Sequence, residues 1–487
     1  MAQSNRLKII HMTSSMSEIK SPADGTVLGE VEYLSEKDIP IYVSKARKAF
    51  KSWCFSAPHE RAQILRNAAN KLISKQKELE ILHAKESGKV LLQSRKEISG
   101  AAVLLEANAH IGQYKSGNIA PTGALPNGER DLTIIERVPL GVVVCVIPFN
   151  FPIELTFEKA AAAIVAGNVV LLKPPPQNPL ATMMAAQILN DSGLPKNVLQ
   201  VLPGCNKFSA ALCSDSDIDA VSLTGSVNAG ISLAKSTAKL LRPLHLELGG
   251  NGVAVILEDA DLDYVVSETL RGRLLMNGQA CAATKRIVVK ETIADELKEK
   301  LDAALEKIKM ANPELPESNL GPLINYESAL RVVSQVDSIV KQGGKLVRGN
   351  IETGDAWYPP TIIDYVPKNA DVAIDDEIFG PVFPIIRVKE DKEAVEVANQ
   401  SSLKLTAAVF SSDLEHSFRV AHQLNFGGIV INGTNNYRPP VVPFGGVGLA
   451  GNGREGLGYT FDELTRSRFI AIRNLRPPSE MLKGIYG

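Results

Sequence analysis

Residues 141–173 read GVVVCVIPFNFPIELTFEKAAAAIVAGNVVLLK. The run GVVVCVI is short, apolar and β-branched, EKAAAAIVAG has a helical pattern, and NVVLLK returns to the first pattern. The alternation continues through ATMMAAQILNDSG, VLQVLPG, a short helix, DAVSLTG, a helix from Val227, and HLELGG, reaching Leu257. Strands separated by helices of this length need right-handed crossovers, which predicts a mainly parallel, doubly wound α/β sheet. On such a sheet ligands bind where strands end and helices begin. Asn150, Lys173, Gly225 and Glu247 each fall just past a predicted strand.

On the N-terminal side, residues 41–53 (IYVSKARKAFKSW) and 58–90 carry apolar residues at helical spacing, as expected of amphipathic helices covering a sheet. Residues 118–139 turn to Gly, Pro and Asn, and LTIIERVPL then reads as an exposed hairpin arm suited to pairing with another subunit. On the C-terminal side a second α/β region runs from Asn251 to Ala450, with a helix from Leu262 to Met276, a strand RIVVKE, and a helix from Ala294 to Lys309. The chain closes with the extended SRFIAIRNL and a Pro-bearing tail.

Composition narrows the function. Lys plus Arg (53) and Asp plus Glu (54) nearly cancel, so no general field draws nucleic acid or an acidic membrane surface. The five cysteines, Cys54, Cys145, Cys205, Cys213 and Cys281, are scattered and never spaced as CxxC. That argues against a disulfide framework or a zinc cluster and for a reducing compartment. The opening MAQSNRLKII lacks a secretory apolar core, and AAAAIVAG with NVVLL is too short to span a bilayer, so the expected location is cytoplasmic.

Three groups suit chemistry. Cys281, in NGQACAATKR, follows a turn-prone Gly278–Gln279 and precedes Lys285 and Arg286, a junction where access and a lowered thiol pKa are expected. A structural, buried cysteine is the ordinary alternative. Glu247, in LHLELGGN, ends an apolar strand before two glycines; a carboxylate buried there has a raised pKa and can act as a base near neutrality, unless a cation simply pairs with it. Asn150, between Pro148 and Pro152, is either a turn residue or a rigidly held donor for an oxyanion.

A literal GxGxxG occurs at Gly446, Gly448 and Gly451, but no apolar strand precedes it, and it reads as a glycine-rich loop. Gly225 and Gly230 are better placed, between a strand and a helix, where their amides could face a pyrophosphate. No HExxH or Ser/His/Asp arrangement is present, so no metal is expected.

Together PFNFP, LLKPPPQNP, LTGSVNAG, LELGGN, GQAC, EIFGPV and PFGGVGLAGNGREG resemble the aldehyde dehydrogenase superfamily, in that family's order and over nearly the whole chain. The resemblance implies a Rossmann-like NAD(P)-binding domain (1–120 and 140–250), a second α/β catalytic domain (251–450), and a small β oligomerisation arm with the tail (121–139 and 464–487). By it Cys281 is the nucleophile, Asn150 holds the oxyanion, Glu247 activates the hydrolytic water, and Lys159 and Glu455 match proton-relay positions.

Lys173 matches a ribose-binding lysine, Glu377 a nicotinamide-ribose carboxylate and Phe379 its packing neighbour, with Gly225 and Ser226 beside the pyrophosphate. Pro176, Leu248 and Phe149 complete the expected cofactor contacts, while Phe151, Phe444 and Arg438 line the substrate side. Pro176 stands where NAD-preferring members commonly carry a Glu, so NADP and NAD are both admissible.

The nearest branches are the lactaldehyde, non-phosphorylating glyceraldehyde-3-phosphate and succinic semialdehyde dehydrogenases. Ala280 and Glu158 replace arginines that recognise anionic substrates in two of them, which points to a small neutral or hydroxylated aldehyde. Arg438 keeps a carboxylate- or sulfonate-bearing aldehyde open. A CoA-acylating enzyme would not need Glu247, and a catalytically silent binding protein on this scaffold would not need to keep Cys281, Glu247 and Asn150 together. A homodimer or homotetramer is expected, because the arm leaves open strand edges.

Overall fold

A computed structural model of the chain describes residues 15–350 and 352–475; the N-terminal decapeptide and most of the Pro-bearing tail lie outside them. The predicted parallel sheet is present. Its five strands stand in the order Leu199–Val201, Val169–Lys173, Val142–Val146, Ala220–Thr224, Leu244–Glu247, all parallel. The chain winds outward from Val142–Val146 in one direction, then returns to its other side. This reversal opens a crevice between Val142–Val146 and Ala220–Thr224, flanked by Asn150 and Gly225.

The helices Ile39–Trp53, Pro58–Ser74, Gln76–Ser87 and Leu91–Tyr114 form the N-terminal layer. The helical spacing read over 58–90 resolves into two helices, divided at Lys75. Their apolar faces join the strands and the helix Pro152–Val165 in a single core, and that helix is buried all round, which is why its alanine-rich face shows so little amphipathicity.

The second sheet has seven strands in the order Lys345–Arg348, Thr361–Asp364, Val382–Val388, Arg286–Lys290, Val253–Ile256, Thr406–Phe410, Gly428–Ile431, parallel apart from the antiparallel Lys345–Arg348 edge. Its two faces are filled by separate apolar clusters.

Two helix boundaries differ from expectation. The helix starting at Leu262 ends at Arg273, short of Met276, and the one expected from Ala294 begins at Glu291 and ends at Leu305. Past Arg273 the chain becomes irregular, with Met276 (φ 50°) and Asn277 (φ 57°) left-handed before Gly278. Conformations of this kind cost non-glycine residues roughly 1–3 kcal/mol each and persist only when their surroundings hold them.

The arm is a three-stranded antiparallel sheet. Leu132–Pro139 lies between Gly117–Ala120 and Thr465–Ile472, in a register from Thr465↔Pro139 to Ile472↔Leu132. Ile119, Phe469, Ile470 and Ile472 are exposed on it. Among the described residues no helix is long and apolar enough to cross a membrane.

Candidate active site

Glu247 closes the strand Leu244–Glu247, and it is 4 % exposed with neither carboxylate oxygen hydrogen-bonded. Burial, then repulsion from Glu455, raises its pKa well above the ordinary carboxylate value, against the pull of Lys159 and Arg438. Its surroundings are made by the glycine-rich loop. Asn452 and Gly453 donate their amides to the Leu246 carbonyl, each at 3.0 Å, and Leu248 donates to the Ala450 carbonyl. A side chain at Gly445 or Gly453 would put its Cβ 2.9 or 3.0 Å from Glu247 Oε1. The segment containing Gly446, Gly448 and Gly451 is therefore a lid on the edge strand, as a loop reading requires, and Gly451 bridges Glu247 itself.

The glycine pair after Glu247 brings three elements together. A Cβ on Gly250 would meet the Cys281 carbonyl at 2.8 Å, and one on Gly249 would meet Glu377 Oε2 at 2.2 Å. Only glycines allow the Glu247 strand, the Cys281 loop and Glu377 to approach this closely. Cys281 is partly buried against Ala282, Leu405, Phe444 and Ala450.

The loop carrying Cys281 is pinned one residue at a time. Asn277 donates to the Gly88 and Pro322 carbonyls, both at 2.8 Å, and accepts from the Gly321 amide. Gln279 accepts from the Ile324 amide at 3.0 Å. Across the crevice, Asn150 Nδ2 donates to the Gln279 carbonyl at 2.9 Å, which sets that amide two residues from the thiol; its oxygen takes the Phe151 amide.

The expected lowering of the Cys281 pKa is not found. Burial pushes the thiol up to about 12, opposed first by Arg438. Lys285 and Arg286 are turned elsewhere: Lys285 contacts Glu377 at 3.3 Å and lies over the Phe379 ring, while Arg286 donates to the carbonyls of Asn251, Ala373, Val397 and Ala398. The sequence context of the cysteine was misleading because Arg286 opens the next strand, Lys285 stands immediately before it, and both are buried.

Lys159 and Glu455, far apart in sequence, meet at 2.6 Å in the interior, with Ser222 and Thr224 completing the shell. Burial opposes the Lys159 charge, yet Glu455, Cys145 and Glu247 carry its pKa above the usual value. Arg438 contacts the other Glu455 oxygen at 2.7 Å and stacks on Phe444. It is thus not the uncommitted cation at the mouth that its sequence position suggested. Glu158 also proves structural: it accepts from the Gly456 amide and the Thr460 hydroxyl.

Residues 10–470 match the aldehyde dehydrogenase family model. The chain belongs to the aldehyde dehydrogenase family. A 3-sulfolactaldehyde dehydrogenase of Priestia megaterium is 33% identical over 461 residues, covering 94% of this chain and 95% of that protein. The mitochondrial succinate-semialdehyde dehydrogenase of Arabidopsis thaliana is 31% identical over 462 residues, covering 94% and 86%. Among solved structures, the NADP-dependent glyceraldehyde-3-phosphate dehydrogenase of Bacillus halodurans C-125 complexed with NADP superposes with a TM-score of 0.91 at 30% identity, covering 94% of this chain and 96% of that one.

This dehydrogenase uses a nicotinamide dinucleotide, NAD or NADP, and its crevice fits such a ligand. Lys173 is 2 % exposed, and its ammonium has no hydrogen-bond or ion-pair partner among the described residues; burial lowers its pKa to about 8. A buried cation left in this way suits an acceptor brought by a ligand.

Helix Val227–Thr237, capped by the Ser226 hydroxyl through the Ala229 amide, opens at the crevice. The Gly225 amide does not face a ligand, because it donates to the Glu247 carbonyl at 3.0 Å, and Gly230 serves close packing on Leu248. Pro176 has its carbonyl held by the Tyr33 hydroxyl at 2.6 Å, and the Phe149 carbonyl accepts from Asn178 at 2.8 Å. The Phe151 ring packs under the Lys89 ammonium.

Sequence reasoning missed Glu86, Lys89 and Glu97 in the N-terminal layer. All three are buried, and the signal was available for Glu97, which shares one helical face with Ala101 and Leu105 at four-residue spacing.

Proposed function

We propose that this dehydrogenase oxidises a small aldehyde to the carboxylate through a covalent intermediate on Cys281. The observation that carries the proposal is the convergence of a partnerless, pKa-raised Glu247, the Cys281 loop across Gly250, and the Asn150 amide anchored at Gln279. Cys281 releases its thiol proton to solvent, its Sγ bonds to the aldehyde carbon, and the Asn150 amide with the Cys281 backbone N–H stabilises the resulting oxyanion. Bound NAD(P) supplies the hydride acceptor. Glu247 then takes a proton from the water that hydrolyses the thioester, and its unpartnered oxygens leave it able to do so.

Lys159 with Glu455 holds the neighbouring charge in place. Lys173, Ser226 and Glu377, the last fixed by Lys285 and the Gly250 amide, would hold the dinucleotide. No carboxylate pairs with Lys173 among the described residues, which favours NADP as much as NAD.

For the substrate we favour a small neutral or hydroxylated aldehyde, because Arg438 is already paired with Glu455. One observation supports a second reading, an aldehyde bearing a carboxylate or sulfonate: the remaining N–H groups of Arg438 have no acceptor among the described residues. The names of the sulfolactaldehyde and succinate-semialdehyde relatives lean the same way.

The deciding assay follows absorbance of the reduced nicotinamide with a panel of neutral, hydroxylated, carboxylated and sulfonated aldehydes, with NAD or NADP. Reduction without added CoA is expected. Failure with every aldehyde would overturn the proposal. The free thiols are in keeping with a cytoplasmic enzyme. The open edge of Thr465–Ile472 suits pairing into a dimer or tetramer, and a stable monomer by light scattering would reject that.

A further inference from the structure

Two helices follow the first two strands of the five-stranded sheet, and both have their N-termini filled by a buried carboxylate from the N-terminal layer. Glu97 Oε1 accepts from the amides of Ile153 and Glu154, at 2.9 and 3.2 Å, at the start of helix Pro152–Val165. Glu86 accepts from the amides of Leu180 and Ala181 at the start of helix Pro179–Asn190. A helix N-terminus is a ready anion site, so a carboxylate there locks the loop that enters the helix. The loops concerned differ in content. The first carries Asn150 and Phe151, and the second follows Lys173 and includes Pro176.

Glu97 is held in turn. Its Oε2 meets His83 Nε2 at 2.8 Å and the Lys89 ammonium, and that ammonium lies 3.9 Å from the Phe151 ring centroid. His83, Lys89 and Glu97 are all buried. The carboxylate and its cation therefore grip the Asn150 turn at two points, the amides after it and the ring beside it. Among the described residues Glu86 has no cation of this kind; its hydrogen bonds there are to the two helix amides.

We propose that Glu97, with Lys89, is the positioning residue for the oxyanion donor Asn150, and that Glu86 is its counterpart for the cofactor-ribose loop behind Lys173. The inference rests on the assignment of Asn150 as the oxyanion donor. It implies that damage at the two carboxylates separates cleanly into chemistry and cofactor binding, which a general loss of packing would not do.

The test compares Glu97→Gln, the double variant Glu97→Leu with Lys89→Met, and Glu86→Gln in the full chain. The measurements are pre-steady-state hydride transfer, steady-state kcat and KM, and cofactor dissociation by fluorescence quenching. The double variant removes both charges together, so no lone ion is left in the core. Both Glu97 variants should slow hydride transfer about 10- to 100-fold, up to the loss that a misplacement of about 1 Å can cause, with cofactor dissociation within about twofold of the wild type. Glu86→Gln should raise the cofactor KM about 3- to 10-fold, with kcat at saturation within twofold.

Wild-type hydride transfer in either folded Glu97 variant overturns the proposal. So does an equal loss of rate and cofactor affinity in all three. Should neither Glu97 variant fold, Lys89→Met decides: a hydride-transfer rate reduced at least threefold with unchanged cofactor binding supports the inference, and an unchanged rate rejects it. A wild-type protein inactive on every aldehyde would instead overturn the proposed function, so the two failures are distinguishable.

Discussion

The two sheets contribute to the site in opposite ways. Lys173 and Glu247 stand at the ends of parallel strands whose ladders fix their positions by repetition. Cys281 comes before its strand, on a loop with two left-handed residues, held by individual side-chain bonds from Asn277 and Gln279. Main-chain ladders tolerate a lost side chain, whereas a loop secured bond by bond does not. The first half of the site should therefore respond locally to substitution, and the second should be sensitive at a distance.

The sharpest break is at the thiol. Cys281→Ala should lower turnover by at least about 10³-fold while cofactor affinity stays near normal, checked by steady-state rates and fluorescence titration. Glu247→Gln comes next. Deacylation should slow by roughly 10²- to 10³-fold against a smaller change in hydride transfer, giving a burst of reduced cofactor and then slow turnover. Equal slowing of both phases would count against the water-activating role.

The same base predicts a pH profile. Glu247 works ionised, and its pKa in the fold is raised, so kcat should climb with pH through a limb above the ordinary carboxylate range. That limb should be missing in Glu247→Gln.

Asn277→Ala tests the contrast itself. It removes three hydrogen bonds and a residue suited to left-handed backbone, and should lower stability by about 2–4 kcal/mol and kcat about tenfold, although Asn277 touches no reacting group. Thermal melting and turnover measure both, and an unchanged kcat in a folded variant would dissolve the distinction between the halves. The mildest case is Lys173→Met. Its cofactor dissociation constant should rise about tenfold or more, the worth of a charge-assisted hydrogen bond, while the melting temperature holds or rises because an unpaired buried cation is gone.

The same contrast explains what could be read before any coordinates. Strand-end residues were legible because β-branched runs and helical spacing locate strand termini, and Glu247 between Leu246 and Leu248 could not be an ordinary surface acid. The arm was legible from alternation in LTIIERVPL. The electrostatics around Cys281 were not, because Lys285 and Arg286 are neighbours in sequence but turn toward Glu377 and a set of carbonyls. Lys159 with Glu455, 296 positions apart, has no local signature at all, and came only through family likeness. Burial of Glu97 could be read from its helical face, but the amides of Ile153 and Glu154 that it holds lie more than fifty positions on and left no local trace.

The stretch from Gly453 to Thr465 links the catalytic lid to the arm. Gly453 borders Glu247, Glu455 sits between Lys159 and Arg438, and Gly456 and Thr460 are tied to Glu158. Asp462 is held by Lys115, the Leu464 carbonyl accepts from Asn168 at 2.8 Å, and at Thr465 the arm strand begins. The arm and the buried carboxylate thus hang on one short rope with knots every few residues, which leaves no slack chain between the projecting sheet and Glu247.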